Sequence, residues 1–419
     1  MNNLFWVEIN LSNLKSNIHN LKSLLNSKTK FMAVVKSNAY GHGMVEVAKV
    51  AVEAGADWLG VVSLDEAMRL RMKEARPPSL KTPILILGFV NPKNMKEAVE
   101  NDISMPIVSL DHLKNVTRYT LHATRSLKVH LKIETGINRL GLQIDEIPRA
   151  FEMIKNNKNI VLEGVYSHFA SVEEQNIDYA NKQLMNFQKA IDLLHATRYT
   201  LYDEPIRHIS SSAATMLIPE AHFDMVRCGI AIYGLWPSAE TQNEFLKIRN
   251  PKSEIRNKSK IINSNFLKPV LSFKTKIVQI KEVKVGDKIG YGCTFEVKKP
   301  MTIAVIPVGY FEGMDRGLSN PNTCIHLRGV CKGEVLVCGK RCPIVGRICM
   351  NMSVINITQI RNTKSEIRNS EVVIIGKQAS RQARGAYAEI TADEIAKKIG
   401  TINYEIVTRI PEYIKRVYK

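Results

Sequence analysis

The sequence lacks what would place it in a membrane or outside the cell. No apolar run approaches the roughly 18 residues that a membrane span needs. The opening stretch, MNNLFWVEINLSNLKSN, has no basic start followed by an apolar core, so a secretory signal is not expected. The seven cysteines (Cys228, Cys293, Cys324, Cys331, Cys338, Cys342 and Cys349) are odd in number and contain no C-x2-C pair. That favours reduced thiols in the cytoplasm over a disulfide framework. Cys324, Cys331, Cys338 and Cys342 with His326 could supply zinc ligands, but the spacing lacks paired knuckles and no metal is expected. Acidic residues are scarce, 40 against 59 Lys plus Arg, which leaves a formal charge of +19. Such a surplus usually points to nucleic acid or an anionic membrane surface. Here it is concentrated: residues 247–268 alone carry seven basic side chains and one acidic. No aromatic platform or nucleic-acid-binding module accompanies it, so neither nucleic acid nor membrane is expected as a partner.

Three short words recur in the basic segments. KSEIRN occurs at 252–257 and 364–369, TRYTL at 117–121 and 197–201, and LHATR at 121–125 and 194–198. They are too short and irregularly spaced for a solenoid. They read as insertions tolerated in surface loops, where added length costs little closure entropy.

The chain has 419 residues, 45% hydrophobic and 24% charged, which suits a globular protein of two or three domains. Up to residue 237, short β-rich apolar runs alternate with amphipathic stretches. The runs are 31–36, 58–63, 83–88, 103–108, 127–133, 162–169, 206–211 and 225–234. Near-continuous apolar character suits parallel strands covered on both faces. Eight strand–helix units predict an α/β fold of the (β/α)8 TIM-barrel type, with a doubly wound open sheet as the alternative. Residues 238–268 are polar and read as a linker. From 269 to 419, short alternating strands predict a mostly antiparallel β domain, interrupted by one helix in ITADEIAKKIG.

Lys36 closes the first apolar run, in AVVKSNAYGHG. A lysine there is costly to desolvate, and partial burial would lower its pKa and make it a candidate Schiff-base amine. On that fact alone, an ordinary strand-end lysine with its ammonium in solvent is the simpler reading. The neighbourhood is more specific. AVVKSNAYGHG resembles the pyridoxal-phosphate lysine motif of the alanine racemase family. So, in order, do HLKIETGINRLG (130–141), YSHFA (166–170), SSSAA (210–214), MVRCGIAIYG (225–234), GYGCTF (290–295), IPVGYFEG (306–313), PIVGRICMN (343–351) and TINYEI (401–406).

The resemblance implies a pyridoxal 5'-phosphate enzyme that racemises L- and D-alanine by two bases and supplies D-alanine for peptidoglycan. A racemase of another small amino acid, such as serine, is the alternative. It implies a homodimer in which Tyr291 and Met350 complete the partner's site. By matching position, Lys36 would hold the cofactor and act as one base, and Tyr291 as the other. Tyr40, His168, Ser212, Arg227, Gly229, Ile230 and Tyr404 would bind the cofactor. Arg139 and the Met350 backbone would bind the substrate carboxylate, and Lys132 is a possible carbamylation site. Two departures stand out. Asn351 replaces the family's usual Asp after the methionine, and GYFEG replaces GYADG, with Phe311 and Glu312 at the changed positions. Both put substrate access in question more than reaction type.

Overall fold

The computed structural model describes residues 4–71, 81–120, 125–196, 204–249, 266–320, 333–379 and 387–419. They form two compact units. The first unit comprises residues 12–39 and 44–268. The second comprises residues up to 11, the segment Tyr40–Gly43, and 269 onward.

The first strand of the chain, β1 (Phe5–Ile9), belongs to the second unit. The first unit is built on eight parallel strands: β2 (Lys30–Val34), β3 (Trp58–Val61), β4 (Ile84–Ile86), β5 (Ile103–Ile107), β6 (Leu127–Lys132), β7 (Ile160–Tyr166), β8 (Ile206–His208) and β9 (Met225–Cys228). They lie at all eight of the apolar runs. From β2 to β8 each pairs with the next in sequence, and β9 pairs with β2. The remaining seam, β8 to β9, is bridged by Arg227 N–H to Ser210 O (3.1 Å) and Asp224 N–H to Arg207 O (3.1 Å). The Arg207 guanidinium adds an ion pair to Asp224 at 2.7 Å. The result is the nearly closed barrel expected from the alternating pattern. Strands β3, β4 and β5 are buried at every position, which is why their sequences run apolar without alternation.

The end of β2 departs from any sequence expectation. Lys36 is followed by a left-handed turn: Ser37, Asn38, Ala39 and Tyr40 have φ of 54°, 52°, 54° and 51°. No glycine relieves it until Gly41. Left-handed backbone costs an L-residue roughly 1–2 kcal/mol. The turn is braced from outside. Glu66, in the helix Leu64–Arg71, accepts the N–H groups of Ser37 (2.6 Å) and Val62 (2.8 Å), and Asn38 Oδ1 accepts from Met44 N–H (2.9 Å).

Of the polar segment 238–268, which reads as a linker in the sequence, the described residues 238–249 and 266–268 group with the barrel unit. The helix Ala239–Arg249 buries Phe245, whose ring lies 5.7 Å from Trp236 and 4.7 Å from Phe266. The first KSEIRN, at 252–257, lies outside the described residues, as do 197–201 and most of 121–125. The second KSEIRN is the helix Lys364–Asn369, capped by Thr363, which accepts the Glu366 N–H at 3.2 Å.

The second unit is largely antiparallel. Its main sheet joins β1 to β10 (Leu271–Lys276), β18 (Glu371–Ala379), β15 (Glu334–Val337) and β16 (Lys340–Pro343). β20 (Arg416–Tyr418) pairs parallel with β1, and β19 (Tyr387–Ile390) pairs with β18. A second sheet holds β11 (Gln279–Val283), β14 (Met301–Ile306) and β17 (Ser353–Asn356), and a two-stranded ribbon pairs β12 (Lys288–Ile289) with β13 (Phe295–Glu296). Ile289, Val297, Ile303 and Val345 form a buried cluster around that ribbon. The helix Ala392–Ile399 starts as its capping pattern implies, with Thr391 accepting the Glu394 N–H at 3.0 Å. Cys338 and Cys342 are buried, and Cys324, His326 and Cys331 lie outside the described residues. No described helix is long and apolar enough to cross a membrane.

Because Glu66 ties the Ser37 N–H of the strained turn to the Val62 N–H just beyond β3, Glu66→Ala should lower the unfolding free energy by about 2 kcal/mol. Urea denaturation measures this. An unchanged midpoint would mean that the turn holds without the carboxylate.

Candidate active site

One end of the barrel gathers most of the candidates, because they sit at or just beyond the C-terminal ends of successive strands. Lys36 follows β2, Lys132 ends β6, His168 follows β7, Ser212 follows β8, and Gly229 and Ile230 follow β9. This is the end of a (β/α)8 barrel where loops build sites. Arg139 lies on the loop after β6. That loop is folded around Glu134, whose carboxylate accepts the N–H groups of Gly136 (2.6 Å) and Arg139 (3.2 Å).

Arg227, on β9, is the most constrained of them. It is buried, and burial pulls its pKa down to about 10, so it remains a cation. Nη1 donates to His208 Nδ1 at 2.8 Å. Nη2 donates to Ser167 O (2.7 Å), Ile209 O (3.1 Å) and His168 Nδ1 (3.2 Å). A guanidinium only donates. Both Nδ1 atoms must therefore accept, and both imidazoles are neutral with the proton on Nε2. Burial, reinforced by the Arg227 charge, holds both histidines well below the ordinary imidazole pKa.

The chain of donors continues inward. His208 Nε2 donates to His130 Nδ1 (2.9 Å), and His130 Nε2 donates to Glu163 Oε2 (3.2 Å). Ser104 Oγ donates to the same carboxylate oxygen, and Lys128 lies 4.0 Å from Glu163 Oε1. Burial would raise the Glu163 pKa, but these bonds outweigh it and hold it low. Gly164 makes room for the pair, since a Cβ there would lie 2.3 Å from His130 Nδ1. The Tyr166 ring stacks on His208 at 5.0 Å, and its hydroxyl is buried with no hydrogen-bond partner among the described residues.

Sequence reading missed His130, His208, Tyr166, Glu66 and Glu163. A signal existed for one: His130 stands two residues before Lys132 on the same strand, so the two share a face.

The two lysines feel this environment. Burial first, then Arg139, lower the Lys36 pKa, with Glu66 partly opposing. Lys132 is buried with its ammonium 5.7 Å from the Tyr166 ring centre, and burial with Arg139 and Arg227 brings its pKa to about 8. Four cations thus act on one another, with Glu66 and Glu134 opposing. The donor set suits an anionic ligand. At the far side, Ser212 Oγ accepts the N–H groups of Gly229 (3.0 Å) and Ala231 (3.5 Å). Ile230 opens the short helix Ile230–Tyr233, where backbone donors have no partner in the helix.

The other candidates lie in the second unit. The Tyr40 and Tyr404 rings are 6.2 Å apart. Tyr291 stands in a tight turn between Gly290 and Gly292, both at positive φ, and is 71% exposed. A Cβ on Gly292 would lie 2.9 Å from Arg347 Nη1. Met350 is 55% exposed.

Comparison with known proteins identifies the family. Residues 9–237 match the family model of the alanine racemase N-terminal domain, and 270–418 that of the C-terminal domain. An alanine racemase of Methanococcus maripaludis is 36% identical over 99% of this chain and 98% of its own. One from Leptospira interrogans is 38% identical over 98% and 95%. Among solved structures, the alanine racemase of Clostridium difficile superposes with a TM-score of 0.83 at 32% identity, covering 100% of this chain and 96% of that one. The Bacillus anthracis enzyme with bound L-Ala-P gives 0.83 at 33% over the same shares. With both domain models matched in order and relatives aligned end to end, the chain belongs to the alanine racemase family, the isomerases that interconvert L- and D-alanine.

Proposed function

We propose that this alanine racemase, in a family that depends on pyridoxal phosphate, uses Lys36 and Tyr291 as bases on opposite faces of the substrate Cα. The observation that carries the reading is the cationic cluster at the barrel end, with a depressed lysine beside an arginine that can only donate. Pyridoxal phosphate, when bound, supplies the electron sink that makes Cα acidic.

The chain's own residues do the rest. Lys36 anchors the cofactor and moves the proton on one face. Its lowered pKa favours the neutral amine that either role needs. Tyr291 returns the proton on the other face, so the substrate need not turn over. Arg227 would donate a hydrogen bond to the pyridine nitrogen of the bound cofactor and would not give up its proton, which would leave that nitrogen unprotonated and suppress the side reactions of a protonated ring. His168 and His208 hold Arg227 in place. Ser212, the Gly229 and Ile230 backbone, and the phenols of Tyr40 and Tyr404 bind the phosphate. Arg139 and the Met350 N–H, which has no acceptor among the described residues, receive the substrate carboxylate. Lys132, its pKa lowered to about 8, more readily offers the neutral amine that takes up carbon dioxide, and the resulting carbamate would pair with Arg139.

The exposure of Tyr291 and Met350 supports a homodimer in which each serves the partner's site. The family's general role is D-alanine supply for peptidoglycan, and the reduced-thiol composition fits a cytoplasmic enzyme.

Three outcomes test this reading. The cofactor-loaded protein should absorb at about 420 nm and racemise alanine, and Lys36→Ala should abolish both. Absorbance that survives in K36A would exclude Lys36 as the anchor. Mixing inactive Lys36→Ala with inactive Tyr291→Phe subunits, then refolding them together, should restore about a quarter of the native activity. Only the mixed dimer holds one site with both bases intact. Recovery of no activity would mean that each chain builds its site alone. The third outcome concerns pH. His130, His168 and His208 have folded pKa values below their unfolded value of about 6.5. Their contribution to stability is therefore present above about pH 6.5 and is lost as pH falls, when the unfolded chain takes up protons first. Tm should fall below about pH 6.5, and less steeply in His208→Gln.

A further inference from the structure

The two places where the sequence departs from the family pattern are in direct contact. Asn351 Nδ2 donates to Glu312 Oε1 at 2.8 Å. Glu312 is buried, and its other oxygen accepts the Gly309 N–H at 2.8 Å. The carboxylate therefore ties the start of the 309–312 turn to the 349–352 turn. The backbones meet as well. Tyr310 N–H donates to Cys349 O (3.1 Å) and Phe311 N–H to Met350 O (2.9 Å). A Cβ on Gly309 would lie 2.2 Å from Cys349 O, so no larger residue permits this approach. Cys349 N–H closes its own turn on Met352 O at 3.0 Å. Met350 sits at the tip, its carbonyl held and its N–H directed at no acceptor among the described residues.

We propose that Glu312 and Asn351 act together as a clamp that positions the Met350 backbone, and so are positioning residues for the substrate carboxylate. This rests on the reading of Met350 as a substrate donor. The chemistry of the pair is complementary in one direction only. Glu312 Oε2 accepts from Gly309, and Oε1 takes its short bond, at 2.8 Å, from Asn351. An aspartate in its place would set a second carboxylate against the first, with no proton between them. The Tyr413 hydroxyl also donates to Oε1, at 3.5 Å, and its raised pKa keeps it protonated; that one long bond is weaker than the 2.8 Å bond from Asn351 and does not replace it. Arg409, whose backbone meets Gly313 on the same turn, has its guanidinium paired with Asp315. The Phe311 ring, changed in the same GYFEG segment, stacks on Tyr413 at 5.5 Å.

The test uses the cofactor-loaded, full-length protein. Asn351→Asp should raise KM for alanine by about 3–10-fold in both directions, with kcat changed by less than about twofold. It should also lower Tm by roughly 3 °C near pH 8. The double variant E312Q/N351D restores a donor and an acceptor in reversed order: the new amide oxygen at 312 takes the Gly309 N–H, and its NH2 group faces the new carboxylate at 351. It should recover both KM and Tm. An unchanged Tm in N351D, or a double variant no better than N351D alone, overturns the clamp. Met350→Pro, which deletes the N–H, keeps the two readings apart. KM raised by M350P but untouched by N351D overturns the positioning role alone. KM untouched by both overturns Met350 as the substrate donor, and the positioning role with it.

Discussion

Arg227 is a buried cation that no carboxylate among the described residues touches. Its partners are two backbone carbonyls and two neutral imidazoles. Burying an unpaired charge costs several kcal/mol, so the surroundings must supply compensating dipoles. The His208–His130 pair does this directionally. Each imidazole accepts on Nδ1 and donates on Nε2, so both ring dipoles point the same way, from the guanidinium to the Glu163 carboxylate. Reversing either tautomer would set donor against donor. The chain cannot carry a proton towards Arg227, which has no acceptor to offer. Its work is to fix charge and orientation. The rest of the barrel end depends on it, because the Arg227 charge helps to depress His168 and Lys132 and contributes to the lowered pKa of Lys36.

Much of this architecture was legible in the sequence. The strands β2 to β9 could be read because burial on both faces leaves a continuous apolar run, and the C-terminal strands because burial on one face leaves alternation. Lys36 stood out as a charge at the end of such a run. What could not be read was the backbone beyond it. Nothing in KSNAY announces a left-handed turn, since the residues that hold it, Glu66 and Met44, act from other elements. The His130–His208–Glu163 chain was equally hidden. Its members are far apart in sequence, and each alone is an ordinary strand polar residue. Only the register of β6, β7 and β8 brings them together.

The division into units shows a similar limit. β1 precedes the barrel in sequence yet pairs with β10 and β20, late in the chain. Pairing between strands so distant in sequence leaves no local trace. The polar segment 238–268 shows the converse. Phe245 is buried within it, packed against the Phe266 ring. Such an anchor outweighs a polar composition, since a fully buried apolar side chain is worth about 1.5–3 kcal/mol.

The charge balance of the barrel end also bears on ligand choice. Lys36, Lys132, Arg139 and Arg227 repel one another, and the Glu134 carboxylate is already engaged by backbone donors. Such a cluster is stable only because its members are depressed, dispersed or hydrogen-bonded to dipoles. An anionic ligand placed here would relieve the repulsion beyond what its individual contacts give. A carbamate on Lys132 would act in the same direction from within, converting one of the four cations into an anion. The same surplus disfavours a cationic side chain on the substrate, whereas the methyl of alanine adds no charge. The electrostatics of the barrel end thus count against a cationic side chain and leave its size to steric fit.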